Sequence, residues 1–347
     1  MMDLILENQR IDLIARNFLR PPHRLNDIHE ADAELVDLGD RSEFLLAATA
    51  DALIEEVATG LYDDPSFIGW MLATANFSDL AAVGADPLGL LVTISTSPAQ
   101  DEIYLTRLAR GISEACRSLG TFVLGGDTNR GDTLTLSGCA IGLVPKNEIL
   151  RRTGARPGDT VYLSGPAGLG AVYAFLRLTG RNISPGDQFF KPTARIKEGR
   201  LIRKFASCAM DTSDGLIHTV DTLMRLNGCR FLLETHWKKT IHPTALEICR
   251  ARHLPPWLAL AAVHGEFELC FTIHPDKEKA FLAEAHKSDW LPIAIGEVTE
   301  GEGVSLKAAE KLIPLDTASI RNIAADAGAD PKSYIESLFK IAGEVQF

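Results

Sequence analysis

The chain has no G-x-x-x-x-G-K-[ST] segment, so it cannot cradle phosphates in the P-loop manner. It also lacks any C-x-x-C pair. Its six cysteines (Cys116, Cys139, Cys208, Cys229, Cys249 and Cys270) are scattered, most of them inside apolar stretches such as FELCFTI and LSGCAIGL. In a chain this long and apolar they read as small core residues, and no disulfide framework is expected. His242 and His253 have no partner at zinc-binding spacing. There is no long Lys/Arg block, and the net charge is −11. Nucleic-acid binding needs a basic footprint, so no nucleic-acid partner is expected. No uninterrupted apolar run approaches the roughly 20 residues of a membrane span. The opening MMDLILENQRIDLIARNF is broken by charges too often for a signal peptide. The expectation is a cytoplasmic protein with no membrane partner.

What is present is an ordinary globular composition, 46% hydrophobic over 347 residues, long enough for two domains. Spacing of apolar residues predicts a short amphipathic helix over 4–19, and FLLAATAD reads as a buried strand ending at Asp51. Helical periodicity runs from Asp64 to Val83, with Gly84 as its stop, and again through DEIYLTRLARGISEACRSLG to Gly120. TFVLGG and TLTLSGCAIGLV are predicted strands on either side of a polar turn, DTNRGD. The composition shifts at VPKNEILRRTGARPGD, which reads as a linker between domains 1–146 and 147–347. Strands DTVYLSG, SCAMD, CRFLLE, FELCFTI and LPIAIGEV come next with helices between them, and helical spacing returns over 329–343. Strands and helices mix in both halves, so the fold class is α/β or α+β with two lobes of similar size.

The chemistry lies in aspartates delivered at the ends of apolar runs: Asp51, Asp79, Asp127, Asp211 and Asp214. Gathered carboxylates are costly without a cation among them, and Mg²⁺ takes oxygen ligands that it shares with substrate phosphates. In GGDTNRGD the glycines allow close backbone approach, although the same residues make an ordinary turn. Asn76 and Asp79 in NFSDL are three apart, on one face of a helix. In MDTSDGL, Ser213 or Asp214 can cap the next helix, whose N-terminus also suits an anion. GPAGLGA has the wrong spacing for a dinucleotide fingerprint and reads as a tight strand-to-helix turn. HGEFEL places Glu266 and Glu268 on one side of a strand, with His264 alongside.

NFSDLAAVGADPL, LGGDTNRGD, LRRTGARPGD and AMDTSDGL occur in an order and spacing that resembles the thiamine-monophosphate kinases, over roughly residues 28–300. The resemblance implies a two-domain α+β subunit of the aminoimidazole ribonucleotide synthetase (PurM-like) superfamily. Its N-terminal domains would pair into a dimeric β-barrel, making a homodimer. It implies ATP and Mg²⁺ as cofactors and a small-molecule phosphate acceptor. By motif position, Thr49, Asp51, Asp79, Asp127, Asp211 and Asp214 correspond to metal ligands, with Asp51, Asp127 and Asp214 nearest the chemistry. Gly125, Gly126, Asp127, Arg152 and Ser213 correspond to nucleotide contacts, and Glu266 and Asp32 to the acceptor side. The sequence departs from the family pattern at Ala31 (an aspartate in the family), Ala50 and Ala52 (threonines), Ala58 (a histidine) and Gly265 (a glutamate). Two further readings remain open on this basis: a kinase or synthetase acting on another metabolite, and a weakened nucleotide-binding regulatory paralogue.

Overall fold

The computed structural model describes residues 5–20, 22–180, 189–308, 311–327 and 330–344. The first half contains α1 (Leu6–Ala15), β1 (Glu34–Asp37), β2 (Phe44–Ala52), α2 (Glu55–Ala58), α3 (Pro65–Ala82), β3 (Asp86–Thr96), α4 (Glu102–Ser118), β4 (Val123–Arg130) and β5 (Thr135–Pro145). The second begins with β6 (Thr160–Leu163), α5 (Leu169–Leu178), α6 (Ile196–Ile202), β7 (Ala206–Asp211), α7 (Leu216–Asn227) and β8 (Arg230–Glu234). It continues with α8 (Trp237–Thr240), α9 (Pro243–Ala251), α10 (Leu258–Ala261), β9 (Leu269–Ile273), α11 (Pro275–Lys287) and β10 (Ile293–Thr299). It closes with β11 (Val304–Ala308), β12 (Lys311–Leu315), α12 (Thr317–Ala327) and α13 (Pro331–Glu344).

The strands form two sheets, ordered β1-β2-β5-β3-β4 and β12-β11-β8-β10-β6-β9-β7. Among the described strands only β3/β4 and β8/β11 pair in parallel, so the class is α+β. Helix α3 is apolar on nearly every side, as a helix buried all round must be. Asp64 caps its first turn by accepting from Phe67 N, and Gly84 ends it at φ +71°. One face packs on β2 and β5 and others on α4, α6 and β7, so α3 joins the two halves through one continuous core. At Gly111 the approach of α4 to α3 leaves no room for a side chain, since a Cβ there would lie 1.9 Å from Ser66 O.

Three local expectations are corrected. The segment DTNR is not a turn: β4 runs on to Arg130, with Asp127 opposite Thr93 of β3. Parallel pairing to β3 supplies the backbone partners that its turn-like composition would otherwise seek locally. Neither Ser213 nor Asp214 caps α7. Its N-cap is Gly215, with no side-chain hydrogen bond, because Ser213 donates instead to Asp211. His264, Gly265, Glu266, Phe267 and Glu268 precede β9 as irregular backbone, so Glu266 and Glu268 are not set by strand alternation.

The predicted linker is firmly held. Arg151 donates to Leu25 O, and Asn227 accepts from the backbone of Gly154 and Ala155. No helix among the described residues is long and apolar enough to cross a membrane.

Candidate metal and nucleotide site

Strand β2, helix α3, the segment before β1 and the end of β7 converge on one point. Asn76 accepts from Asp51 N (3.1 Å), which ties the end of β2 to the middle of α3. One turn further along α3, Asp79 Oδ2 accepts from the Thr49 hydroxyl at 2.5 Å. The i,i+3 pair thus faces β2 together. Asp211 reaches the same place from the last residue of β7, and Asp32 from the segment leading to β1. Ligand oxygens of Asp32, Asp79 and Asp211 lie within 4.8 Å of one another.

Opposite them sits Arg152. Its Nε and one terminal nitrogen reach the two Asp32 oxygens at 3.1 and 3.0 Å, and the Asp32 side chain is only 1% exposed. Burial alone would lower the guanidinium's pKa, but Asp32, Asp79 and Asp211 together raise it, so it stays charged. One cation facing this many carboxylates leaves negative charge uncompensated.

The carboxyls show the strain of that crowding. Desolvation, and after it the charges of Asp51, Asp211 and Asp32, holds Asp79 well above the usual carboxylate range. Asp51 is raised by desolvation and then by Asp32, although its hydrogen bond with Asp79 works against the shift. Burial and Asp32 push Asp211 up to about 7. Among the described residues Asp211 Oδ2 is buried without a hydrogen-bond partner of ordinary geometry, although the Ser78 hydroxyl is near enough to oppose part of that rise. An orphaned carboxylate oxygen inside a three-carboxylate cluster matches the oxygen-donor chemistry that a hard divalent cation such as Mg²⁺ prefers. The residues therefore fit a cation of that kind.

Asp214, on the loop after β7, presents an exposed surface but adjoins the cluster, close enough to Asp211, Asp51 and Arg152 for their charges to act on one another. Other expected residues stand apart. Asp127 is also exposed, bonded to Asn129 at 2.9 Å, and lies on β4, three strands from Asp51 in the sheet order. That places it roughly 14 Å from β2 at ordinary strand spacing. Gly125 and Gly126 share its exposed strand. Glu266 is buried, and its carboxyl accepts from Gly168 N (2.6 Å) at the start of α5. Burial and the neighbouring Glu268 raise its pKa to about 8. Glu268, also buried, accepts from Ser164 Oγ (2.5 Å) and from Arg195 Nε (2.7 Å). These ion pairs were not legible from spacing. Arg195 lies 73 residues from Glu268, and Arg152 lies 120 from Asp32.

Glycine at position 265 is sterically required in this fold. A Cβ there would sit 1.5 Å from Thr212 O, so the backbone as folded admits only glycine.

Two adjoining matches place the chain among AIR synthase related proteins: the N-terminal domain over residues 30–144 and the C-terminal domain over 156–309. Against the thiamine-monophosphate kinase of Pyrococcus horikoshii it is 31% identical over 283 residues, covering 79% of this chain and 87% of the relative. The chain belongs to the thiamine-monophosphate kinase family. The family member from Escherichia coli is likewise 31% identical, over 83% of this chain and 89% of its own. Among solved structures, AaThiL complexed with AMPPCP and TMP superposes with a TM-score of 0.72 at 26% identity, covering 90% of this chain and 98% of that one. The hydrogenase maturation protein HypE of Escherichia coli shares the fold at 20% identity and a TM-score of 0.65. The matched family domains end at residue 309, so α12 and α13 lie beyond them.

Proposed function

We propose that this chain is an ATP- and Mg²⁺-dependent phosphotransferase that converts thiamine monophosphate to the diphosphate. The observation that carries the reading is the convergence of Asp32, Asp79 and Asp211, with Asp51 beside them, in a chain of this family. In this reading Asp51, Asp79 and Asp211, with Thr49 beside them, hold Mg²⁺ at the cluster, while Asp214 and the distant Asp127 meet further Mg²⁺ carried by the nucleotide phosphates. Gly125, Gly126, Arg152 and Ser213 contact the nucleotide. Bound Mg²⁺ supplies charge neutralisation for the phosphates during in-line transfer.

The protein's own contribution is positioning. Thr49 fixes the Asp79 carboxyl, Arg152 fixes Asp32, and Ser213 fixes Asp211. A phosphate acceptor is already anionic, so the site needs no strong base and no protein nucleophile. Incubation with ATP, Mg²⁺ and thiamine monophosphate should yield ADP only when all three are present. ADP release that ignores the acceptor would sink the reading.

The same proposal includes domains at 1–146 and 147–347 and a homodimer whose N-terminal sheets close into a barrel. The edge strand supports it. Phe122, Val123 and Leu124 expose 72, 44 and 53% of their surface, an apolar edge that monomers seldom leave open. Light scattering should give twice the subunit mass, and Leu124→Lys should give one.

A further inference from the structure

Two helices outside the matched family domains, α1 ahead of residue 30 and α12 beyond 309, meet on α7. Leu6 N donates to Asn322 Oδ1 at 3.2 Å, and the Arg321 guanidinium of α12 lies 3.6 Å from Glu7 Oε2. The same guanidinium reaches inward. Its Nη1 donates to Asp221 Oδ2 at 3.1 Å and to Thr222 Oγ1 at 2.9 Å, both on α7. Asp221 is fully buried, and it also accepts from Thr317 Oγ1 of α12 (2.5 Å) and from Arg225 Nε (2.8 Å). Such a set of donors satisfies a buried carboxylate. Two guanidiniums against one carboxylate leave a positive charge over, and Arg321 carries it within reach of two further acids, Glu7 and Asp214.

Helix α7 is where this grip acts on the metal site. It begins at the turn that brings Asp211 and Asp214 to the cluster, and its N-cap, Gly215, makes no side-chain hydrogen bond there. The turn is tied to the helix instead by Thr219, whose hydroxyl donates to Asp211 O at 2.8 Å. Asp221 and Thr222 come next on the same helix, about two turns from its start. A contact made there fixes the direction in which α7 presents the turn. Arg321 also acts on the turn through its charge. Burial raises the pKa of Asp214, Glu7 adds to the rise, and Arg321 opposes it. His218 of α7 lends no positive charge, since burial and then Arg321 push its pKa down to about 3.

We propose that Arg321 is a positioning residue of the metal and nucleotide site: from a helix beyond the matched domains it holds α7, and through α7 the Asp211–Asp214 turn, against the cluster. This role rests on the proposed binding of Mg²⁺ and nucleotide at that turn. It makes α12 a working part of the site and not an appendage to it.

The test is calorimetric titration of the full-length protein with AMPPCP, with and without Mg²⁺, at a temperature where circular dichroism shows each variant folded. Arg321→Met should weaken Mg²⁺-dependent binding about tenfold, the loss expected for one charged hydrogen-bonding group. Arg321→Lys keeps the charge and should recover about threefold of that loss. Arg225→Met is the control for mere destabilisation. It takes the other guanidinium from Asp221, farther along α7 from the turn, and should lower the melting temperature yet bind Mg²⁺ and AMPPCP as wild type does. Thr222→Val removes one acceptor of Arg321 at nearly constant shape, should weaken binding about threefold, and replaces Arg321→Met as the deciding variant if that protein does not fold. Wild-type affinity in the deciding variant, an equal loss in Arg225→Met, or wild-type binding that ignores Mg²⁺ overturns the role. The ADP assay separates it from the kinase reading. A loss confined to the Arg321 contacts, in a protein whose ADP release ignores thiamine monophosphate, keeps the positioning role and removes the kinase. Acceptor-dependent ADP formation with undiminished binding by Arg321→Met does the reverse.

Discussion

Arg152 grips Asp32 with two near-parallel hydrogen bonds, 3.1 and 3.0 Å long, at the edge of a carboxylate cluster. The pair links the segment after β5 to the segment before β1, and it supplies the positive charge that this cluster has from the protein itself. Removing the guanidinium leaves Asp32 buried and unpaired among like charges. Arg152→Ala should therefore cost about 3–5 kcal/mol, read from urea midpoints, with part of the loss recovered on adding Mg²⁺. Arg152→Lys should lose less, because charge survives although the fork does not. A neutral effect of Arg152→Ala would show that the cluster does not depend on this pair.

The pH dependence arises from Asp211. The residue is 2% exposed, and its carboxyl is lifted to about 7 by burial and then by Asp32. In the unfolded chain an aspartate titrates near pH 3.9, so between about 4 and about 7 the native protein holds a proton that the unfolded chain has lost. This group's contribution is thus fully present below about pH 4 and declines as pH rises through about 7. Metal-free wild type should lose stability relative to Asp211→Asn across that window. Mg²⁺ should flatten the wild-type slope. A wild-type midpoint that climbs relative to the variant has the wrong sign.

Asp79→Asn separates stability from metal binding. Removing one charge from the crowd should leave the metal-free protein at least as stable as wild type at pH 8. It should also abolish stabilisation by Mg²⁺, which at a hundredfold excess over Kd is worth about 2.7 kcal/mol. Equal Mg²⁺-induced Tm shifts in the two proteins would rule out Asp79 as a ligand.

Asp127→Asn tests the exposed strand. Asp127 is exposed and accepts from Asn129, itself exposed, so its replacement should move stability by no more than about 0.5 kcal/mol. Under the proposed role, Mg²⁺-dependent nucleotide binding should nevertheless be lost. Binding as in wild type would count against that role.

Gly265→Ala and Gly265→Glu should be destabilising alike, by roughly 1–3 kcal/mol or more, because the obstacle is the Cβ itself and not the remainder of the side chain. The atom it would strike is backbone, Thr212 O, which cannot rotate aside. A stable Gly265→Glu variant would mean that the loop after β7 shifts readily.

Much of the scaffold was legible in the sequence because its signals are local. Periodicity and a terminal glycine located α3 and α4, and Gly84 and Gly120 both adopt the positive φ expected of helix stops. The spacing of Asn76 and Asp79 put both on one face, which is the face turned to β2. The strand through Arg130 was hidden because Asp127 and Asn129, flanked by Gly125, Gly126 and Gly131, favour turns in isolation, while pairing with Thr93 to Thr96 overrides that preference. The positions of Glu266 and Glu268 were hidden for a related reason. Their partners, Gly168 and Arg195, lie far away in the chain, and burial of a carboxylate is set by such partners.

By itself the sequence determined the two mixed halves, the absence of a P-loop and the supply of aspartates at the ends of apolar runs. It also carried the family motifs, since each of these is a pattern of neighbours along the chain. Which aspartates meet was decided only by the tertiary structure. Asp32, Asp79 and Asp211 converge from three separate elements, Asp127 stays on an exposed strand, and α13 folds back to wall a cavity with α5. Desolvation and Coulomb energy depend on distance through space, so the cost that makes a carboxylate cluster receptive to a cation exists only once the elements have packed.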